Sequence, residues 1–221
     1  MKKNYNIIIF DLDGTLVNSL YDLHAAVDYA LTINNYPTRT VEEVRSFVGN
    51  GIRNLVERAV PEGIDVKEID KVFETFKGYY DIHATDRTYP YDGIMELLIN
   101  LKKEGYYVGI STNKVQSAVD ILYNKFFKDV CDIALGDSSL RKRKPFPDSV
   151  NEIVEFYNGE LSEVLYVGDS EVDIQTGANA GVDMVTVTWG FRDKQTLQNA
   201  GAKMVVDTVE ELAEIIGLKK S

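Results

Sequence analysis

Apolar positions along this chain follow two different patterns, and the change from one to the other divides it. Near the start a short continuous run, Ile7-Ile8-Ile9-Phe10, is bounded by polar residues and predicts a buried strand. Then Leu20, Leu23, Ala26, Val27, Ala30 and Leu31 recur at helical spacing, and further helices are predicted at 41–47, 52–60 and 66–80, with no strand pattern between them. The second half alternates. Apolar runs at 106–110, 133–135, 164–167, 184–187 and 204–206 predict strands, separated by helical segments near 94–103, 115–126, 149–157, 173–180 and 209–216. Such alternation predicts an α/β fold: a Rossmann-like, mostly parallel sheet with helices on both faces. The first strand belongs to that sheet, so the helical block becomes an all-helical cap domain inserted after it. The expected division is a core of residues 1–17 and 86–221 and a cap of residues 18–85, with turn chemistry at Asp86, Pro90, Asp92 and Gly93 where the chain returns.

A chain of 221 residues is long enough for a sizeable core. Its 35 acidic and 24 basic residues give a net charge of −11, which as a whole repels nucleic acid and anionic membranes. An anionic partner must therefore be drawn by a local positive site. The single cysteine, Cys131, excludes an internal disulfide and fits a reducing cytoplasm; lying in an apolar stretch, it reads as a small buried thiol. Met1-Lys2-Lys3 begins like a signal peptide, but the apolar run after it is too short and ends in Asp11, and no run reaches the length of a membrane span. The last four residues, Leu218 to Ser221, read as a frayed end. His24 and His83 make no metal-binding pattern, and Trp189 reads as packing.

Candidate chemistry starts at Asp11-Leu12-Asp13-Gly14-Thr15-Leu16, directly after the first strand. In open α/β sheets ligands gather at the carboxyl ends of the strands. Two carboxylates one residue apart there are able to share a metal and to divide the roles of nucleophile and proton carrier. Gly14 lets the backbone turn tightly beside a ligand, and Thr15 offers a hydroxyl and an N–H. A hairpin turn at Asp13-Gly14 is opposed by the helical spacing that follows, and a calcium loop by Leu16, which stands where that loop needs glycine.

Three later segments sit near strand ends. Ser111-Thr112-Asn113-Lys114 ends the second strand before a helix, which fits a phosphate site or an ordinary helix cap. Among Arg141, Lys142, Arg143 and Lys144, the first three read as a solvated loop, while Lys144, held by Pro145, is the candidate charge for a phosphoryl group. Gly168-Asp169-Ser170-Glu171-Val172-Asp173 puts Asp169 at a strand end and Asp173 about one helical turn later. Metal ligation and helix capping both fit those acids.

This ordered set, an Asp pair, a hydroxyl, a lysine and a second acid group, resembles the haloacid dehalogenase-like phosphohydrolases over nearly the whole chain. The resemblance implies that Asp11 is the nucleophile that forms an aspartyl-phosphate and that Asp13 is the general acid and base. Thr112 and Lys144 would hold the phosphoryl group. It implies Mg2+ held by Asp11, by the backbone carbonyl of Asp13 and by Asp169, with Asp173 supporting the metal site. The insertion after the first motif resembles the C1-cap branch. Within that branch Phe47 to Gly51, Leu55 to Ala59, Thr112-Asn113-Lys114 and Val187 to Phe191 are similar to phosphoglycolate phosphatases. One departure is Asn18, where an acidic residue is common before Ser19.

The expected activity is Mg2+-dependent hydrolysis of a small phosphorylated metabolite, with 2-phosphoglycolate leading, by a cytoplasmic monomer or homodimer without nucleic-acid or membrane partners. Pyrophosphatase, broader sugar-phosphate or nucleotide phosphatase and phosphomutase activities are compatible with the core motifs, and a noncatalytic phosphate-binding module is the alternative of another class. Gly14, Thr15 and Asn113 are the expected substrate contacts in the core. Gly49, Gly51 and Arg53 are those in the cap, the glycines permitting close backbone approach and Arg53 meeting a distal carboxylate.

Overall fold

In a computed structural model, residues 5–218 are described, and the expectations for Met1-Lys2-Lys3 and for Lys219 to Ser221 lie outside them. In chain order the elements are β1 (Ile7–Phe10), β2 (Val17–Asn18), α1 (Leu20–Ile33), α2 (Val41–Phe47), α3 (Gly51–Ala59), α4 (Val66–His83), β3 (Tyr89–Pro90), α5 (Ile94–Lys103) and β4 (Tyr107–Val115). There follow α6 (Gln116–Leu122), β5 (Ile133–Asp137), α7 (Asp148–Phe156), β6 (Val164–Gly168), α8 (Glu171–Ala180), β7 (Asp183–Val187), α9 (Lys194–Asn199), β8 (Val205–Val206) and α10 (Val209–Ile216). The chain folds as two compact units, one of residues 5–17 with 90–218 and one of Asn18–Tyr89.

The first unit is built on a six-stranded sheet of order β5-β4-β1-β6-β7-β8, in which every neighbouring pair is parallel. Successive side chains of a strand point to opposite faces, and here both faces are covered, which is why β1 is apolar at every position. Ile8 and Phe10 pack with Leu97 and Leu98 of α5, Val119 and Leu122 of α6 and Leu212 of α10. Ile7 and Ile9 face the other way, onto Val150, Ile153 and Val154 of α7 and Ala180 of α8. The predicted α/β sheet with helices on both faces is thus the observed one.

Two details differ from the sequence pattern. The apolar run of the second strand stops at Ile110, but β4 extends through the polar residues expected at its end, to Val115, with an irregularity after Ser111; protein partners replace water for its polar side chains, as where Ser111 Oγ meets Ser149 Oγ at 2.7 Å. The helix therefore starts at Gln116 and passes into one π-helical turn, Tyr123–Phe127. The short α9 has a single buried apolar residue, Leu197, too little to produce a readable period.

The second unit is four helices. Leu23, Val27, Leu31, Val44, Leu55, Val56, Val72, Phe76 and Tyr80 are among its buried positions, with α1 packed along α4. Asn18 Oδ1 accepts the N–H of Leu20 (3.2 Å) at the start of α1. Thr40 and Glu43 form a reciprocal cap on α2, and Asp65 caps α4. The buried carboxylate of Asp22 ties the two ends of the unit together: it accepts the N–H of Arg87 on both oxygens at 3.0 Å and the hydroxyl of Thr88 at 2.7 Å.

Candidate active site

The site lies in the first unit, where the carboxyl ends of β4, β1 and β6 stand side by side. From β1 the chain adds β4 and β5 on one side and β6, β7 and β8 on the other, a reversal of strand order that opens a crevice above the central strand. Asp11 is held at that point by its own N–H, which donates to the Val167 carbonyl at 2.8 Å and extends the pairing with β6 by one residue. The chain then turns: the N–H groups of Thr15, Leu16 and Val17 all donate to the Leu12 carbonyl, and that of Gly14 to the Val17 carbonyl.

Asp11 is buried, and Lys144 Nζ lies 2.8 Å from its Oδ1. That oxygen has the charge of the lysine nearby but no donor at hydrogen-bonding angle. Burial pushes the Asp11 carboxyl up to about 7 against the pull of Lys144, with Asp173 and Asp13 adding to the rise. Burial pushes Asp169 well above the usual carboxylate range too, helped by Asp173 and Asp11 and opposed by the N–H of Phe191. For Lys144 burial acts to lower the value, yet Asp11 and Asp173 hold it well above that of a free lysine, so the ammonium stays charged.

Lys144 also donates to Asp173 Oδ1 (2.7 Å) and to the hydroxyl of Tyr166 (3.2 Å), and that hydroxyl donates to the same Asp173 oxygen at 3.0 Å. The other oxygen, Oδ2, takes the N–H and hydroxyl of Ser170 at 3.1 and 2.6 Å. Capping of α8 thus falls to Ser170 with Asp173 as its reciprocal partner, which leaves Asp169 outside the cap. Asp169 Oδ2 accepts the Phe191 N–H (2.7 Å), and Thr15 Oγ1 is 3.5 Å from Oδ1.

Carboxylate oxygens of Asp11, Asp169 and Asp173 lie within 4.8 Å of one another, all buried. Held ionised, three carboxylates against the one ammonium of Lys144 would leave two negative charges out of water, a cost that shows in the raised Asp11 and Asp169 and that a divalent cation with oxygen ligands would remove. With Asp11 Oδ1 lacking a donor as well, these residues fit a metal ion. The Asp13 carboxylate is not in that cluster. Both its oxygens are bonded by Lys114 Nζ, at 3.1 and 3.2 Å.

Of the remaining predicted residues, Thr112 is buried with its Oγ1 accepting the N–H of Lys114 (3.2 Å). Asn113 Nδ2 donates to the Lys144 carbonyl (3.1 Å), which braces the loop of that lysine. Gly14 has φ +88°, and a side chain on it would overlap the Asp169 carboxylate. The N–H groups of Gly14 and Thr15 are taken by the turn itself. Gly49, Gly51 and Arg53 belong to the helical unit. Both glycines have positive φ, and Arg53 bonds Glu57 (2.7 Å) and Asp70 (2.6 Å) with its guanidinium over the Phe73 ring. Arg141 is not the solvated residue expected, since its guanidinium bonds both oxygens of Glu152, the Gly136 carbonyl and Ser138 Oγ. Cys131 is buried, as expected, and burial pushes its thiol up, away from reactivity.

Sequence reasoning passed over Lys114, Tyr166 and Gly190. Lys114 had a signal, since it ends the polar run after a strand beside two assigned residues. Tyr166 gave none, because a tyrosine in an apolar strand looks like any other core residue.

The sequence model of the haloacid dehalogenase-like hydrolases matches residues 8–187, which include Asp11, Asp13, Thr112, Lys144, Asp169 and Asp173. The chain belongs to this family. Among individual haloacid dehalogenase-like proteins, a phosphoglycolate phosphatase from Vibrio parahaemolyticus is 31% identical over 228 residues, covering 98% of each chain. One from Cereibacter sphaeroides is 35% identical over 189 residues, covering 84% of this chain and 86% of its own. A crystal structure from Lactobacillus delbrueckii subsp. bulgaricus, assigned as a phosphoglycolate phosphatase, superposes with a TM-score of 0.92 at 35% identity, over 96% of this chain and 98% of that one.

Proposed function

We propose that this protein is a Mg2+-dependent phosphomonoester hydrolase that works through an aspartyl-phosphate on Asp11, with 2-phosphoglycolate as substrate. The observation that carries the reading is Asp11 itself, a buried carboxylate at the head of the central strand whose Oδ1 faces the Lys144 ammonium at 2.8 Å. In the first step an Asp11 oxygen attacks phosphorus, the bond to the leaving oxygen breaks, and Asp13 gives that oxygen its proton. In the second, Asp13 takes a proton from water as the water attacks the same phosphorus, and phosphate leaves with Asp11 restored. Lys144 and Thr112 hold the phosphoryl oxygens, the place where most phosphoryl-transfer catalysis is done. Asp11, Asp169 and the Asp13 carbonyl would hold Mg2+, with Asp173 supporting the site, and the ion would supply positive charge against the phosphate dianion.

The substrate rests on the named relatives, since the core motifs grip only a phosphoryl group that many esters share. In this reading the helical unit is the cap, and Gly14, Thr15, Asn113, Gly49, Gly51 and Arg53 complete the substrate contacts. The enzyme works in the cytoplasm as a monomer or homodimer, in keeping with the free thiol of Cys131, and a net charge of −11 disfavours nucleic acid and anionic membranes as partners. No helix among the described residues is long and apolar enough to cross a membrane.

The test is a panel of 2-phosphoglycolate, a sugar phosphate, a nucleotide, pyrophosphate and p-nitrophenyl phosphate, assayed with Mg2+ and with chelator, for wild type and Asp11→Asn. Phosphoglycolate should give the highest kcat/KM, chelation should abolish turnover, and the variant should be folded but inactive. A folded Asp11→Asn protein of wild-type activity, checked for deamidation, overturns the nucleophile. A higher kcat/KM for another ester or for pyrophosphate overturns the substrate.

A further inference from the structure

Lys114 is a lysine with almost no access to water: its side chain is 2% exposed, against 16% for its partner Asp13. A buried ammonium is stable only beside an anion. Here the anion is a catalytic carboxylate supplied from 101 residues away in the chain, across the central strand pair of the sheet. The root of the lysine is clamped. Its N–H is bound by Thr112 Oγ1 at 3.2 Å, and its carbonyl is so close to Gly136 of β5 that a β-carbon on that glycine would stand 2.6 Å away. A side chain so anchored meets both oxygens of Asp13, at 3.1 and 3.2 Å, which fixes the plane and the rotamer of a carboxylate otherwise at the mouth of a turn.

We propose that Lys114 is a positioning residue for proton transfer: it holds the Asp13 carboxyl so that one oxygen faces the leaving oxygen of the substrate. This rests on Asp13 being the acid of the proposed mechanism. When the bond from Asp11 to phosphorus forms and the phosphorus–oxygen bond to the leaving group breaks, the electron pair of the broken bond stays on the leaving oxygen. That oxygen takes the proton of Asp13, and the resulting carboxylate is the ion that Lys114 already contacts. Contact with both oxygens fixes the orientation of the Asp13 carboxylate as well as balancing its charge.

The leaving group supplies a readout that general damage to the site would not move. A strongly basic alkoxide, as from 2-phosphoglycolate, needs its proton as the bond breaks, whereas p-nitrophenolate leaves without one. The experiment measures kcat/KM, which reports the steps up to departure of the leaving group, for both esters in wild type, Lys114→Met, Lys114→Arg and Asp13→Asn. Lys114→Met should lower the value for the alkyl ester by about 10² and that for the aryl ester by no more than about threefold, in the range of lost general-acid catalysis. Lys114→Arg should recover at least about tenfold on the alkyl ester, and Asp13→Asn should show the same selectivity as Lys114→Met. Equal losses on both esters in Lys114→Met, or none, with selectivity retained in Asp13→Asn, overturn the role of Lys114 alone. Equal losses in Asp13→Asn overturn the reading of Asp13 as the acid. Lys114→Gln gives the same comparison if the methionine variant does not fold.

Discussion

Gly190 leaves no room beside Asp169: a β-carbon on this glycine would overlap the Asp169 carboxylate and the Gly14 carbonyl. The next residue, Phe191, donates its N–H to that same carboxylate at 2.7 Å, so the segment after β7 both walls in Asp169 and aims it. Gly190→Ala should therefore push Asp169 off its position without replacing any charged group. The Mg2+ concentration for half-maximal activity should rise about 10- to 100-fold, the usual cost of disturbing the support of a metal ligand. Asp169→Ala should do at least as much. A metal titration of Gly190→Ala that coincides with wild type would mean that Asp169 serves only the loop.

Tyr166 is the middle of a closed triangle with Lys144 and Asp173, and its hydroxyl both accepts from the ammonium and donates to the carboxylate. Burial first, and then its carboxylate neighbours, push this phenol well above its usual range, so it keeps its proton. Tyr166→Phe removes one oxygen and no volume from the core. Stability should fall by about 1 kcal/mol in denaturant titration, the net worth of a buried hydrogen bond. Inhibition by inorganic phosphate should weaken about fivefold as Lys144 loses one of its three partners, and an unchanged inhibition constant would separate Tyr166 from phosphate binding.

Arg53 already has two carboxylate partners, Glu57 and Asp70, and a substrate carboxylate must compete with them. In the proposed role Arg53→Ala raises KM for 2-phosphoglycolate about tenfold and leaves KM for p-nitrophenyl phosphate unchanged. Parallel changes in both, or no change, would assign Arg53 to the stability of the helical unit, where exposed pairs of this kind contribute about 0–1 kcal/mol each.

Tyr5 gives a pH signature far from the site. Its hydroxyl donates to Asp183 Oδ2 at 2.8 Å, joining the start of β1 to the start of β7, and burial followed by the Asp183 interaction pushes its phenol up to about 12. The ordinary value of about 10 applies to the unfolded chain. The folded protein therefore holds this proton more tightly, so the contribution is complete below pH 10 and is lost as pH rises from 10 to 12. Wild type should exceed Tyr5→Phe by about 1 kcal/mol at neutral pH, and the two should converge towards pH 12. A difference that stays constant over that interval would show that the hydroxyl makes no such bond.

Much of this site could be read from the sequence because its acids follow apolar runs that can only be buried strands. Asp11 and Asp169 fall at strand ends for that reason, and the parallel order of β4, β1 and β6 then brings them together. The reading weakened where the site supplies its own polar environment. Ser111, Thr112, Asn113 and Lys114 read as the end of a strand, and β4 does run through them to Val115, but their partners, Ser149, the Lys144 carbonyl and Asp13 among them, are ones that a sequence cannot display. Arg141 misled in the same way: a basic run suggests solvent, and only the fold reveals Glu152 against its guanidinium. Asp173 fitted both a cap and a metal site, and its two oxygens divide between Ser170 on one side and Lys144 with Tyr166 on the other.

The position of β1 sets an order of events during synthesis. Ile7 to Phe10 leave the ribosome before the other strands of their sheet, and their two neighbours in it are residues 107–110 and 164–167. Until residues 164–167 have been made, four large apolar residues that end with both faces covered have only one of their two flanking strands, or neither. The contiguous helical unit from Asn18 to Tyr89 has its partners close by in sequence and is free to form during that wait. The nascent chain is thus expected to be most prone to aggregation between completion of the helical unit and emergence of β6, and Asp11 reaches its final surroundings only when Val167 arrives to bind its N–H.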